Sequence, residues 1–124
     1  MSIFIPFKAY LPNKKYIKEI VSRPYDVLNA KEAKEESKGK INSFYHVIKP
    51  EIDFPENTDY YSKEIYQKGK DNFDRLVENK MMIQEKSSNY YVYQLIMHGH
   101  KQTGIVGCCA IDDYFNNTIK KHEL

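Results

Sequence analysis

The sequence contains no tryptophan, and its only cysteines, Cys108 and Cys109, are neighbours. A disulfide between adjacent residues is strained, so this is not a bridge-stapled secreted scaffold. Two buried thiols in a reducing compartment are expected instead, because the pair lies inside an apolar run. Long apolar runs are missing too. None approaches the ~20 residues of a membrane helix, so no membrane partner is expected. The start, MSIFIPFKAYLP, lacks the basic region and the length of a signal peptide. The expected location is the cytoplasm, and the final Lys-His-Glu-Leu is then a chance match to a retention signal. Glycine is sparse, and Gly104 and Gly107 in QTGIVGC do not have the spacing of a phosphate-loop fingerprint. Excess charge is small as well. A net charge of +2, with lysines interleaved among Asp and Glu, describes a solvated surface and gives no reason to expect nucleic acid.

What the chain does have is tyrosine, eleven of them in 124 residues. Tyrosine buries a ring while its hydroxyl stays wet, which suits shallow cores, interfaces and ligand walls. The length supports a real core, and residues 1–124 read as a single domain, the N-terminal portion of a longer protein. Asn13 is placed to cap a helix carrying Ile17, Ile20 and Val21, which ends before Pro24. Asn29 and Glu32 form a capping-box pattern for a short charged helix, and Gly39 stops it. SFYHVI (43–48) has strand-like composition. KPEIDFPENTDYY is the longest predicted loop. Ser62 then opens a helix whose face is Ile65, Tyr66, Gly69, Phe73, Leu76 and Val77, running to about Asn79. MMIQE, YYVYQLIM and QTGIVGCCAI follow as strands joined by tight turns. IVGCCAI lacks polar alternation and is expected to be covered on both faces. The predicted class is α+β: an antiparallel sheet with two to three helices packed on it. That sheet is a C-terminal meander of about three strands plus one or two short N-terminal strands.

Several polar groupings are candidates for chemistry. His98 and His100 flank Gly99, but two ligands do not make a zinc site, and no metal is assigned. His46 reads as a hydrogen-bonded half-core residue. Arg23, Tyr25 and Asp26 in RPYDV offer a cation, a phenol and a carboxylate on a proline-stiffened loop, as substrate-binding groups. Asp26 can equally cap the next turn. The densest cluster is IDDYFNNTIKKHEL. Asp112, Asp113, Lys120 and Lys121 are candidate substrate ligands there, and His122 and Glu123 are candidate catalytic groups. A polar chain end has the same look without any function.

Taken in order, RPYDVLN, SFYHVIKPEID, YYVYQ, QTGIVGC and IDDYFNNTIKKHE resemble the N-terminal part of the bacterial and archaeal domain-of-unknown-function family 1015. Arg23 departs from the pattern, since the family more often has a second proline there. The resemblance implies a longer protein that continues into an Asp-Gly-His-His-Arg motif. That motif is similar to one of the ParB and sulfiredoxin-like superfamily, which includes nucleotide hydrolases and free-serine kinases. By that resemblance NTIKKHEL is the upstream half of a site, and the missing C-terminal part is the first expected partner. ATP and Mg are implied as cofactors of the full-length protein.

The leading expectation is therefore the N-terminal module of a phosphoryl-transfer or nucleotide-handling enzyme, such as a small-molecule or serine kinase, catalytically incomplete by itself. Such chemistry needs donors for phosphate, a metal held by carboxylates and a base. His122 and Glu123 are then base and ligand, with Lys120 or Lys121 near phosphate. The alternative is a non-catalytic protein-interaction module that uses its tyrosines and an open sheet edge. A third reading, a ParB-like DNA-binding component, needs salt-dependent affinity, and the low net charge speaks against it. A homodimer or a crystal contact over IVGCCAI or its neighbours is expected, and the stretch after Tyr114 is expected to order only by joining the sheet or another copy.

Overall fold

In the computed structural model, which describes residues 3–120, the longest element is a helix over Lys63–Glu78. Along the chain β1 (Phe4–Ile5), β2 (Tyr10–Pro12), α1 (Ile17–Ile20), α2 (Ala30–Glu36) and α3 (Tyr45–Ile48) precede a 3-10 turn at Pro50–Asp53. The long helix is α4. It is followed by β3 (Met82–Gln84), β4 (Tyr91–Met97), β5 (His100–Val106), β6 (Cys108–Cys109) and α5 (Ile111–Phe115). The class is α+β, with small antiparallel ladders and strands mostly in the C-terminal half. By contacts the chain divides into two units, one formed by residues 11–83 and one by residues 1–10 with 84–124.

The 11–83 unit is built on α4. Ile65, Gly69, Asn72 and Leu76 are its buried positions, at the three- and four-residue spacing that makes one stripe of a helix. Leu76 packs with Ile20, Met81 and Met82, and Phe44, Val47 and Phe73 lean on that cluster. A second cluster joins Ala33, Tyr45 and Ile52 with Leu28 and Ile48. Every buried apolar side chain among the described residues belongs to this unit.

These two clusters explain why SFYHVI is helical and not a strand. Phe44 and Val47 serve the first cluster while Tyr45 and Ile48 serve the second. Two interleaved i,i+3 pairs can reach two separate cores only from a helical turn, whereas a strand would send Phe44 and Val47 to opposite faces. Tertiary packing overrides β propensity at this point.

Caps behave more locally. Asn29 Oδ1 accepts the Glu32 backbone N–H at 3.0 Å, and Glu32 Oε2 accepts the Asn29 N–H at 2.9 Å, completing the expected capping box. Asn13 does not cap α1, which is a single turn beginning after Tyr16. Its side chain instead accepts the Lys15 N–H and donates to the Lys80 carbonyl, both at 3.0 Å. The α4 end is closed by Met81 N–H to Leu76 O (2.8 Å) and Lys80 N–H to Val77 O (2.9 Å). That is the Schellman pattern, with Lys80 in the left-handed position at φ 56°.

The other unit differs in two respects from expectation. First, the strands do not form one meander. Described residues give three two-stranded ladders, β1–β6, β2–β3 and β4–β5. The β4–β5 hairpin turns through His98 (φ 50°) and Gly99 (φ 78°), the left-handed pair that a two-residue hairpin turn requires. His98 is therefore in the turn and His100 opposite Met97, not two residues apart on one strand. Second, IVGCCAI is not covered. Ile105 and Ile111 are each 70 % exposed, and both cysteine thiols are exposed and unbridged. The short β6 pairs with Phe4 and Ile5, and within IVGCCAI the Phe4 ring covers Gly107, where an added Cβ would stand 2.6 Å from it. Among the described residues after Tyr114 no strand forms: α5 ends at Phe115 and Ile119 N–H folds back onto Asp113 O at 3.0 Å.

Candidate functional site

One face of the 11–83 unit carries an open cleft of about 450 Å³. Its walls are aromatic: Tyr25, Tyr60, Tyr61, Tyr66 and Phe73. Three parts of the sequence supply them, namely the RPYD loop, the end of the long loop before α4, and α4 itself. On α4, Tyr66, Gly69, Lys70 and Phe73 recur at helical spacing and turn toward the cleft. Gly69 lets the helix come close. A Cβ there would stand 3.1 Å from the Val47 carbonyl and 3.2 Å from the Pro50 ring, so any larger residue requires Val47 or Pro50 to give by a few tenths of an ångström.

Two charged side chains line the cleft, and a third stands against the ring of its Tyr25 wall. Lys70 is bonded to Asp74 one turn along α4, and that carboxylate raises the lysine pKa. Glu51 lines the wall as a carboxylate. Lys49 is the third and the most unusual. The residue is only 6 % exposed, and its Nζ sits 4.1 Å from the centroid of the Tyr25 ring. No carboxylate pairs with it among the described residues. A buried ammonium held by an aromatic face alone is costly, because the ring quadrupole replaces only part of its hydration. An anion brought to that edge of the cleft would complete the site.

The loop that presents Tyr25 is anchored by a small network. Arg23 pairs with Glu36 at 3.0 Å, and its backbone N–H donates to the Tyr45 hydroxyl at 3.1 Å. That hydroxyl in turn donates to Glu36 Oε2 at 3.0 Å. Burial, and secondarily the Glu36 carboxylate, holds the Tyr45 phenol above the usual tyrosine range, while the Arg23 N–H works the other way. Arg23 thus fixes the loop by a side chain where a proline would stiffen the backbone. A turn closed by Val27 N–H to Pro24 O at 3.2 Å then exposes Tyr25 and Asp26.

Of the residues singled out from the sequence, Arg23, Tyr25 and Asp26 lie in this unit, and Tyr25 lines the cleft. Asp112, Asp113 and Lys120 belong to the other unit. Asp113 has a structural bond, its Oδ2 accepting the Ile3 N–H at 2.9 Å. Asp112 and Lys120 are exposed. Lys121, His122 and Glu123 lie outside the described residues. Sequence reasoning passed over Lys49, Tyr60, Tyr61 and Tyr66. The available signal was the tyrosine cluster TDYYSKEIY straddling a helix start, which the abundance of tyrosine had already marked as wall material.

The molecule so described is an α+β module with an aromatic cleft and an uncompensated lysine at its edge. It belongs to the family described as protein of unknown function (DUF1015), whose model matches residues 4–124. No curated protein and no solved structure matches the chain.

Proposed function

We propose that this chain is the N-terminal module of a phosphoryl-transfer or nucleotide-handling enzyme, and that the cleft of its 11–83 unit receives the nucleotide. The observation that carries this is Lys49, nearly buried and matched among the described residues only by the Tyr25 ring. A nucleotide supplies both missing parts. Its base stacks on tyrosine, a contact worth about 1–3 kcal/mol per base, and its phosphates bring the anion that Lys49 lacks. ATP fits these residues. The described residues gather no set of three His, Cys, Asp or Glu, so magnesium would have to come with the phosphates, and no step is assigned to a metal. Catalysis itself is ascribed to residues beyond the cleft, so the chain alone should not turn ATP over. No helix of the described residues is long and apolar enough to cross a membrane, and a cytoplasmic setting is part of the proposal.

Calorimetric titration with ATP and with ADP tests the reading. Binding should weaken roughly tenfold in Tyr25→Ala, as loss of one stacking partner predicts, and should fall further in Lys49→Met. Undiminished affinity in both variants, or no binding by the parent chain, would overturn it.

The β4–β5 hairpin favours a second reading, as an interaction module that pairs with a second copy. Val92, Ile96 and Ile105 are 65–75 % exposed on one face, and Tyr93, Leu95 and Met97 are 45–70 % exposed on the other. A two-stranded ribbon with both faces bare is marginal by itself. Sedimentation should show a dimer that the double change Ile96→Lys, Ile105→Lys converts to monomer. A parent chain that is monomeric at all concentrations removes this reading.

A further inference from the structure

The opposite side of α4 carries chemistry that the aromatic cleft does not use. Lys68 and Arg75 lie away from Tyr66 and Phe73, Asn72 belongs to the buried stripe between them, and with His46 and Asp53 they line a second cleft of about 520 Å³. His46 Nδ1 lies 2.7 Å from Asp53 Oδ1. A carboxylate only accepts, so this bond places the imidazole proton on Nδ1. Asn72, itself 6 % exposed, fixes the pair by donating from Nδ2 to the His46 carbonyl at 2.7 Å and to Asp53 Oδ2 at 3.1 Å.

In the neutral imidazole that arrangement leaves the lone pair on His46 Nε2, which is buried with no hydrogen-bond partner among the described residues. An unmatched buried acceptor is rare in native structures and calls for an explanation. Two cations stand on the same cleft. Lys68 Nζ is a loose 3.9 Å from Asp53 Oδ2. Arg75 donates only to neutral oxygens, the Ile41 carbonyl at 2.7 Å and Asn42 Oδ1 at 3.4 Å. A metal ion is disfavoured by these cations. A ligand that satisfies all three groups must offer an O–H to Nε2 and anionic oxygens to Lys68 and Arg75.

We propose that this cleft is a second binding site, for a phosphate that retains a P–OH, with that hydroxyl donating to His46 Nε2 and the remaining oxygens facing Lys68 and Arg75. The Asp53 and Asp71 carboxylates of the same cleft select against an anion with no proton to give. Nε2 is buried in this conformation, so part of the wall must open for phosphate, and we assign that opening to Lys68, whose side chain is 41 % exposed. The site does not depend on nucleotide binding at the aromatic cleft.

The test uses the full chain at pH 8 with inorganic phosphate, methyl phosphate and sulfate. At that pH free phosphate still carries a P–OH, whereas a phosphomonoester has lost it, its second pKa being about 6, and sulfate has none. Inorganic phosphate should bind about tenfold more tightly than either of the others, the difference expected from one hydrogen bond to an otherwise unmatched buried acceptor. The His46 Nε2 nitrogen resonance should move with phosphate and stay still with sulfate. Lys68→Met, a change at a partly exposed position, should weaken phosphate binding while leaving the His46–Asp53 bond intact. Equal affinity for the three anions, a stationary Nε2 resonance or no phosphate binding would each overturn the proposal. Preference for methyl phosphate would assign the site to phosphomonoesters through oxygen contacts alone, and would overturn the hydroxyl donation.

Discussion

Tyr45 shows how much one side chain can settle. Its ring fills the second core cluster, while its hydroxyl accepts from the Arg23 backbone and donates to Glu36. Because burial raises its pKa above the ordinary tyrosine value of 10.0, the folded chain holds the phenolic proton more tightly than the unfolded chain does. Its contribution is complete below about pH 10 and is lost as pH climbs from there through the folded value. Tyr45→Phe should therefore lower stability at neutral pH by about 1–2 kcal/mol, the cost of leaving the Glu36 and Arg23 groups short of a partner. It should also flatten the alkaline limb of the stability curve. Denaturant melts of both proteins at pH 7 and at pH 10–11 read both effects, and an unchanged alkaline slope would contradict the assignment. None of this could be read from the sequence around Tyr45. The segment FYHVI looked like a strand because its composition is β-rich, and the helical alternative becomes visible only when two separate clusters compete for alternate residues. Lys49 escaped notice for a similar reason. Its burial comes from contacts between segments distant in sequence, and a lysine beside a proline carries no mark of that.

Helices with local signals were the most legible elements. The Asn29–Glu32 box needs only residues three apart, and it forms as read. The end of α4 at its cap Asn79 likewise follows from its own periodicity, and so do Ile65, Gly69 and Leu76 of its face, whereas Asn72 is buried unexpectedly and Tyr66 is exposed. Ladder partners were less legible, because β3 pairs with β2 across the whole of the 11–83 unit and not with its neighbour β4. Strand composition says that a segment will pair and is silent about its partner. The α4 terminus also makes a prediction. Lys80 takes the left-handed position at φ 56° that glycine normally fills, while Met81 closes the motif onto Leu76 in the core. An L-residue there costs about 1–2 kcal/mol of local strain. Lys80→Gly should relieve part of it, against the greater freedom glycine gains when unfolded. The expected outcome is a net stabilisation of about 0.5–1 kcal/mol, seen as a higher denaturant midpoint with unchanged slope. A lower midpoint would mean that the lysine side chain contributes more than the backbone loses.

At the scale of the whole molecule, burial is unevenly shared. Every buried apolar side chain described lies between residues 11 and 83, and the remaining unit relies on short ladders and on tyrosine hydroxyls. Tyr90 donates to the Phe4 carbonyl at 3.0 Å, and Tyr91 donates to Phe7 O at 3.1 Å while accepting from Ala9 N–H at 3.0 Å. The 11–83 unit is one uninterrupted stretch of chain, and Asn13 N–H bonds to Met81 O at 2.8 Å close to its two ends. A continuous segment with adjoining ends behaves as a cassette. Residues 11–83 produced alone should fold cooperatively and keep the nucleotide affinity of the full chain, and circular dichroism melts with calorimetry can verify both. A fragment without a cooperative transition would show that its core leans on the rest. Because entry and exit lie side by side, the same segment can be grafted into a surface turn of an unrelated host, carrying its tyrosine-walled cleft along as a portable binding element.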